Sequence, residues 1–279
     1  PVARAVLLTG AAGMGKSRVR LEFERAAAAR VKGLEVWALR GDPERVGAPF
    51  ALVGSLLRQL AGIVPSDRLS ARRQKLRARV GRVVATADRQ RVAEFLGEVI
   101  DTSFPDADNV RLRLARLDAT LMASEVRRAW VDLVAAECAA RPLLVVIEDL
   151  QWGDALSVRL FDAALRALGE RPLMVLGVGR PEIDELFPQM WVERGVQEVR
   201  VGPLSRKAVE ALARHALGDR LDGPTLARLV ERADGNAFYL EELVRSVAAG
   251  RGLSLPGTVQ AMVHARLGAL DPAARRVLR

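Results

Sequence analysis

The residues whose types and spacing most clearly suit a chemical function lie near the start of the chain, in the segment Gly10-Ala-Ala-Gly-Met-Gly-Lys16-Ser17. This segment fits the pattern G-x-x-x-x-G-K-[ST] at every fixed position, between an apolar run and an amphipathic one. Its glycines let the backbone curl so that successive N–H groups face an anion, and the start of the following helix adds partial positive charge. The spacing therefore predicts a loop that binds the phosphates of a nucleoside triphosphate.

Two side chains of this phosphate loop have specific predicted tasks. Lys16 is expected to reach the β- and γ-phosphates, and the Ser17 hydroxyl is expected to bind Mg²⁺. The alternative is an ordinary glycine-rich turn, and the complete motif in its strand-to-helix setting favours nucleotide binding. The residues predicted to contact the nucleotide are Gly10, Ala11, Ala12, Gly13, Met14, Gly15, Lys16, Ser17 and Arg18.

Two acidic residues form a second candidate group. Glu148 and Asp149 directly follow the apolar run 143–147. Open α/β sheets bind ligands at the carboxyl ends of their strands, so one acid is expected to serve the metal and the other to orient an attacking water. Arg180 follows the apolar run 173–178 and is predicted to contact the γ-phosphate. The alternative for Arg180 is a surface arginine before a turn.

Hydropathy predicts the elements that must position these residues. Strands are expected at 5–9, 34–39, 143–147, 173–178 and 197–201. Helical spacing of apolar residues predicts helices at 17–30, 50–61, 124–141 and from 154 on, whereas 65–124 reads as helical and strongly basic without clear boundaries. Strands that alternate with helices predict an α/β fold with three layers around a parallel sheet. After 202–203, three further helices are expected without a strand between them.

Composition excludes several classes of protein. The chain has 279 residues, of which 50% are hydrophobic and 28% charged, which excludes a disordered chain and suggests one large domain and a smaller one. Its single cysteine, Cys138, excludes a disulfide scaffold and is expected to be buried and inert. No apolar run approaches the length of a membrane helix. These features predict a cytoplasmic protein without a membrane partner.

The net charge of +9 and a basic run at 68–91 leave two interpretations open. The run could follow a nucleic-acid backbone, or it could belong to a solvated or partner-facing helix. Aromatic residues that would stack on bases do not interleave it, which favours the second interpretation. The cationic residues of the run are Arg68, Arg72, Arg73, Lys75, Arg77, Arg79, Arg82, Arg89 and Arg91.

Four segments together resemble a known family. They are the phosphate loop, 143–154, Gly179-Arg-Pro181 and 234–242. They look like signal-transduction ATPases with numerous domains (STAND), which are related to the AAA+ class. Such modules occur in maltose-activator-like regulators and in serine/threonine kinases fused to an ATPase region. The resemblance implies a P-loop nucleotide-binding domain at 1–202, a helical lid domain at 203–255 and the start of a winged-helix-like domain at 256–279.

The resemblance also implies ligands and partners. These are ATP or ADP with Mg²⁺, the flanking domains of a larger protein such as a protein kinase or a DNA-binding domain, and a second copy of the chain on ATP binding. The first acid after the strand, Glu148, would serve the metal, and the second, Asp149, would act as the base. Many relatives have Asp first, which leaves this division of roles open. Gly235 and Asn236 would contact the nucleotide, although Ala237 replaces the proline that often follows them in relatives.

The predicted function is an ATP-binding, slowly hydrolysing switch within a larger signalling protein. One alternative is an AAA+-type ATPase that acts on nucleic acid through the basic run 68–91. The other is a nucleotide-locked scaffold without turnover.

Overall fold

The computed structural model describes residues 2–107, 109–218, 221–250 and 252–253. The predicted start of a winged-helix-like domain at 256–279 lies outside these residues. The strands are β1 (Arg4–Thr9), β2 (Glu35–Arg40), β3 (Leu143–Glu148), β4 (Leu173–Gly179) and β5 (Gln197–Arg200). The helices are α1 (Lys16–Arg30), α2 (Ala51–Ala61), α3 (Leu69–Gly81), α4 (Arg89–Val99), α5 (Val110–Leu117), α6 (Ala119–Ala140), α7 (Ala155–Ala167), α8 (Ile183–Leu186), α9 (Arg206–Leu217), α10 (Gly223–Ala233) and α11 (Ala237–Ala248).

The strands form one sheet with the order β2-β3-β4-β1-β5. The pairs β1/β4, β2/β3 and β3/β4 are parallel. In this register Arg40 lies beside Glu148, and Thr9 lies beside Gly179. The order shows that β1 and β2 are separated by two strands, so their connection through α1 is a crossover. The predicted α/β fold with a parallel sheet is thereby confirmed.

The burial of both faces of strand β3 explains why its sequence is continuously apolar. Leu143, Val145 and Ile147 belong to the main core, where they pack with residues of helices α2, α4, α6 and α7. Leu144 and Val146 point to the other face of the sheet and are equally buried, at 2% and 0% exposure. A strand buried on both faces needs apolar side chains at every position, since successive side chains point to opposite faces.

Helix α6 is longer than its apolar spacing predicts. The expected start was 124, whereas the helix begins at Ala119. Asp118 Oδ1 accepts hydrogen bonds from the backbone N–H of Thr120 at 2.8 Å and of Leu121 at 3.2 Å. An aspartate cap of this kind stabilises a helix start independently of hydropathy.

The basic stretch before α6 folds into α3, α4 and α5. Helices α4 and α5 pack on α6, α3 packs on α4, and ion pairs join α3 and α5 to buried glutamates of α6. Arg79 pairs with Glu137, which is 1% exposed. Arg111 pairs with Glu125 at 2.5 Å, and Glu125 is 4% exposed. Such pairs place charged residues inside a helical layer, which obscures the apolar periodicity that marks helix boundaries in sequence.

Helices α9, α10 and α11 form a second apolar core. It includes Val209, Ala213, Leu229, Leu240 and Leu243. Each helix begins with a side-chain cap, provided by Ser205, Asp222 and Asn236 respectively. Three short amphipathic helices with good caps can bury a shared face without a strand.

Contacts divide the chain into two compact units. One contains residues 1–9 and 20–199, and the other contains 10–19 together with the described residues from Arg200 on. The phosphate loop therefore belongs to the same unit as α9–α11, and the acidic pair belongs to the other. The domain boundaries at 202 and 255 stay predictions. Over the described residues, no helix combines the length and the apolar character that crossing a membrane requires.

Candidate functional site

The phosphate loop is a tight turn whose lysine folds back onto it. Lys16 Nζ donates hydrogen bonds to the carbonyl oxygens of Gly10 at 2.7 Å and Ala11 at 2.8 Å. Gly13 and Gly15 have φ angles of +81° and +90°, a conformation that L side chains rarely adopt. Helix α1 begins at Lys16, so the positive end of its dipole lies at the loop. The predicted residues 10–18 are thus brought together in the arrangement that suits a phosphate.

Helix α11 contacts this loop directly. Asn236 Nδ2 donates to the carbonyl of Ala12 at 3.2 Å, and the N–H of Phe238 donates to the carbonyl of Gly13 at 3.0 Å. Gly235 has φ +72°, and a Cβ there would lie 2.6 Å from Pro203 Cβ, so it serves the turn before α11. Of the two predicted lid residues, the structure places Asn236 on the phosphate loop and Gly235 against residues 203 and 204.

The two acidic residues are held by arginines from distant parts of the chain. Glu148 Oε1 lies 3.0 Å from Arg20 Nη2, and Asp149 Oδ2 accepts a hydrogen bond from Arg40 Nε at 2.6 Å. Both carboxylate side chains are 25% exposed. Asp149 has φ +49°, so its side chain leaves the strand direction and does not continue the alternation of β3. The local backbone therefore directs the two carboxylates differently, and each pairs with a different arginine.

The turn that carries Asp149 depends on a close approach by β2. The N–H of Gly41 donates to the carbonyl of Glu148 at 2.8 Å, and a Cβ on Gly41 would lie 2.3 Å from the carbonyl oxygen of Asp149. Only a glycine fits at this position. The residue after β2 thus fixes the backbone of the acidic pair.

Gln151 links the acidic pair to β4. Its Nε2 donates to Asp149 Oδ1 at 3.3 Å, and its Oε1 accepts from the backbone N–H of Arg180 at 3.1 Å. The Arg180 guanidinium is exposed and lies 5.8 Å from the centre of the Trp152 ring. The structure therefore brings the backbone of Arg180 close to Asp149 through Gln151 and stacks its side chain on Trp152.

Three residues of this region were missed by sequence reasoning: Arg20, Arg40 and Gln151. Arg40 could have been found from strand pairing, because it lies beside Glu148 in the parallel register. Arg20 is one helical turn after Lys16, but nothing in its spacing points to Glu148. Gln151 stands two residues after Asp149, and its role depends on β4 ending at the same level.

The donor atoms suit a magnesium ion. Ser17 offers a hydroxyl oxygen and Glu148 a carboxylate oxygen, which are the hard ligands that Mg²⁺ prefers. In nucleotide sites the ion usually takes one or two protein oxygens and completes its shell with phosphates and water. Within the part of the chain that the structure describes, no group of three or more His, Cys, Asp or Glu residues is placed to hold a metal.

The basic run 68–91 is largely engaged within the chain. Arg73 Nε donates to the carbonyl of Ser103 at 2.6 Å, and the Arg77 guanidinium lies 4.8 Å from the centre of the Phe104 ring. Lys75 pairs with Asp67 at 2.6 Å. Further contacts within the chain are made by Arg72, Arg79, Arg89 and Arg91. Most of these cations therefore hold helices together and do not form a continuous track for a phosphate backbone.

Cys138 is buried in the main core, as predicted. Burial, followed by the neighbouring Glu137 carboxylate, raises the pKa of its thiol to about 11. At neutral pH it stays protonated, which agrees with the prediction of an inert thiol.

In this chain a strand is followed by a phosphate loop and then by a helix, and the sheet has the order β2-β3-β4-β1-β5. This arrangement defines a P-loop nucleoside triphosphatase fold. The model of the AAA ATPase domain family matches residues 1–176, and the chain belongs to this family. The predicted membership of the AAA+-related P-loop ATPases is confirmed.

Two solved structures are similar over 99% of this chain. One is the Orc1 protein of Aeropyrum pernix in complex with DNA, with 15% identity and a TM-score of 0.49. The other is a STAND protein with a tetratricopeptide repeat sensor from Pyrococcus horikoshii, with 14% identity and a TM-score of 0.44. The chain spans 65% and 31% of their respective lengths. No curated protein sequence matches the chain significantly.

Proposed function

We propose that this chain binds ATP with Mg²⁺, hydrolyses it slowly, and acts as a regulatory switch within a larger signalling protein. The observation that carries the proposal is the complete phosphate loop, with Lys16 folded over the loop carbonyls and two glycines in left-handed conformations. Family membership supports nucleotide binding of the same kind.

The loop supplies the binding part of this proposal. On arrival of a nucleotide, the Lys16 ammonium exchanges the carbonyls of Gly10 and Ala11 for phosphate oxygens, which are stronger acceptors because they are charged. The N–H groups of residues 13–18 complete the cradle. Ser17 and Glu148 would hold Mg²⁺, which when bound neutralises charge on the β- and γ-phosphates.

The acidic pair supplies the turnover part. Asp149 orients the attacking water and accepts its proton, and Glu148 serves the metal. Arg40 and Gln151 occupy one oxygen each of the Asp149 carboxylate. A carboxylate whose two oxygens both accept hydrogen bonds is well oriented and has less room for an attacking water, which fits slow turnover.

Slow turnover is what a switch requires. A bound γ-phosphate favours one arrangement of a protein, and hydrolysis removes that preference. In this proposal the flanking domains of a larger protein read this change, as the resemblance to kinase-fused and regulator-fused STAND proteins implies. Self-association in the ATP state belongs to the same proposal.

Single-turnover hydrolysis tests this function. The chain in excess over radiolabelled Mg·ATP should release phosphate over minutes, and Asp149→Asn should abolish the release while retaining the nucleotide. Glu182→Gln, an exposed acid outside the proposed site, serves as the matched control and should behave as the wild type. Bound ATP that stays intact in the wild type would contradict the switch and favour the nucleotide-locked scaffold.

The nucleic-acid alternative is weakened by the contacts of the basic run. Seven of its nine cationic side chains are engaged within the chain, as described above. Binding to DNA that falls steeply with salt and disappears on replacing Arg68 and Arg82 would revive it.

A further inference from the structure

Asn236 is the residue at which helix α11 and the phosphate loop meet. Its Oδ1 accepts a hydrogen bond from the N–H of Tyr239 at 3.0 Å, which caps the helix. Its Nδ2 donates to the carbonyl of Ala12 at 3.2 Å. One side-chain amide therefore joins the start of the helix to the loop, and both belong to the same compact unit.

A second hydrogen bond joins the helix to the next residue of the loop. The N–H of Phe238, in the first turn of α11, donates to the carbonyl of Gly13 at 3.0 Å. First-turn N–H groups have no acceptor within their own helix, and the helix dipole strengthens their attraction for an outside acceptor. Two consecutive loop carbonyls, those of Ala12 and Gly13, are thus both directed toward α11.

Peptide planarity extends this arrangement to the loop N–H groups. In a trans peptide, the C=O of one residue and the N–H of the next point in opposite directions. Carbonyls of Ala12 and Gly13 that face α11 therefore turn the N–H groups of Gly13 and Met14 away from it. The Met14 N–H donates a hydrogen bond to the Ala11 carbonyl, with 3.4 Å between N and O, across the inner side of the turn. Inward N–H groups of this kind are the ones that a phosphate loop offers to an anion.

Gly13 shows how tightly the contact is built. A Cβ at this position would lie 2.5 Å from Asn236 Oδ1 and 2.7 Å from Asn236 Nδ2. The motif G-x-x-x-x-G-K-[ST] leaves this position open, so the phosphate loop pattern alone does not require a glycine here. The close approach of the Asn236 amide and the φ angle of +81° together require a glycine at position 13.

We propose that Asn236 is a positioning residue that sets nucleotide affinity by holding the carbonyls of Ala12 and Gly13 outward, and that α11 thereby controls the phosphate loop. This inference rests on the proposed nucleotide binding. A displacement of α11 breaks both hydrogen bonds at once and frees the loop peptides to rotate. Because coupling is reciprocal, a nucleotide that fixes the loop also fixes the start of α11.

The decisive variant is Asn236→Ser. Serine retains an oxygen that caps α11 and lacks the Nδ2 donor to Ala12, so it removes the loop contact and spares the helix. Asp222→Ala is the matched control, since it removes the cap of the neighbouring helix α10, where Asp222 Oδ1 accepts from Thr225 N–H at 2.7 Å. If a weakened helix cap were enough to weaken nucleotide binding, Asp222→Ala would weaken it too. A loss of loop positioning weakens binding only in Asn236→Ser.

Two measurements on the full chain decide the proposal. Titration with a fluorescent ATP analogue should give a Kd about fivefold to tenfold weaker in Asn236→Ser and a Kd within about twofold of the wild type in Asp222→Ala. Amide exchange without nucleotide should be faster at Phe238 in Asn236→Ser and unchanged there in Asp222→Ala.

The outcomes separate this proposal from the one on which it rests. A wild type that binds the analogue no better than Lys16→Ala overturns the proposed function. A wild type that binds normally, together with an Asn236→Ser variant of equal affinity and equal Phe238 exchange, overturns only the role of Asn236.

Discussion

The phosphate loop and the acidic pair are organised by different means. The loop is held by groups close to it in sequence, such as Lys16 on the carbonyls of Gly10 and Ala11, and by two hydrogen bonds from α11. The acidic pair is held by side chains far away in sequence, with Arg20 on Glu148 and Arg40 on Asp149. The first arrangement is a backbone cradle, and the second is a set of ion pairs.

Under the proposed function, this difference implies that nucleotide binding and turnover rest on separate contacts. A cradle of backbone N–H groups depends on few side chains, here the lysine that supplies its charge and the Asn236 amide proposed to hold its carbonyls outward. Ion pairs fix the direction of individual carboxylates. Substitutions in one region should therefore change affinity, and substitutions in the other should change rate.

The largest effect is expected from Lys16→Ala. Removal of the ammonium deletes a charged contact to the phosphates and should weaken nucleotide binding by about 100-fold or more. Denaturing the purified wild type should release ADP or ATP, identified by chromatography, and the variant should release none. Equal amounts of nucleotide in both preparations would contradict the assignment of nucleotide binding to the phosphate loop.

Asp149→Asn should produce the complementary effect. The amide lacks the basicity to take a proton from water, so steady-state phosphate release should fall about 100-fold or more while affinity for Mg·ATP changes little. The measurement is a coupled phosphate assay at saturating ATP. Equal loss of affinity and rate would mean that Asp149 belongs to the cradle.

Arg40→Ala should give a smaller change in the opposite direction. The Arg40 side chain is 71% exposed, so its pair with Asp149 is screened by solvent. Its loss frees Asp149 Oδ2 to accept a hydrogen bond from the attacking water and should raise the turnover rate about twofold to fivefold. Arg40→Lys, which can retain the ion pair, should stay near the wild-type rate. A lower rate in Arg40→Ala would show that the ion pair is needed to orient the Asp149 carboxylate.

The labelling rate of the Cys138 thiol should differ least between the variants. Its pKa of about 11 stands about two units above the ordinary value, so labelling at pH 8 should be about 100-fold slower in the folded chain than in the unfolded chain. The rate should rise with pH as the thiolate forms. Equal rates in wild type, Lys16→Ala and Asp149→Asn would show that the larger effects do not arise from unfolding.

The parts of the fold that follow local rules could be predicted from sequence. Strand β3 is continuously apolar because both of its faces are buried, and the phosphate loop is a contiguous motif. Apolar spacing predicts the start of α6 five residues late, because the first turn depends on the Asp118 cap and not on an apolar stripe. The helices α3–α5 lacked boundaries because residues such as Arg79 and Glu137 are buried as a pair and interrupt the apolar pattern.

The partners of the candidate site could not be predicted in the same way. The contact of Arg40 with Asp149 depends on the pairing of β2 with β3, and that of Asn236 with Ala12 joins positions at opposite ends of the chain. Such contacts depend on tertiary packing, which sequence spacing does not encode. The sequence predicts which residue types belong to the candidate site, and only the folded chain shows which residues contact them.

The most direct test of the central claim is a calorimetric titration of Mg·ATP into the wild type, Lys16→Ala and Asp149→Asn, measured side by side. The account predicts that wild type and Asp149→Asn bind with affinities within about threefold of each other, since the cradle is unchanged, and that Lys16→Ala binds about 100-fold more weakly or not at all. Equal binding by Lys16→Ala, or loss of binding in Asp149→Asn, would contradict the assignment of nucleotide binding to the phosphate loop and of turnover to the acidic pair.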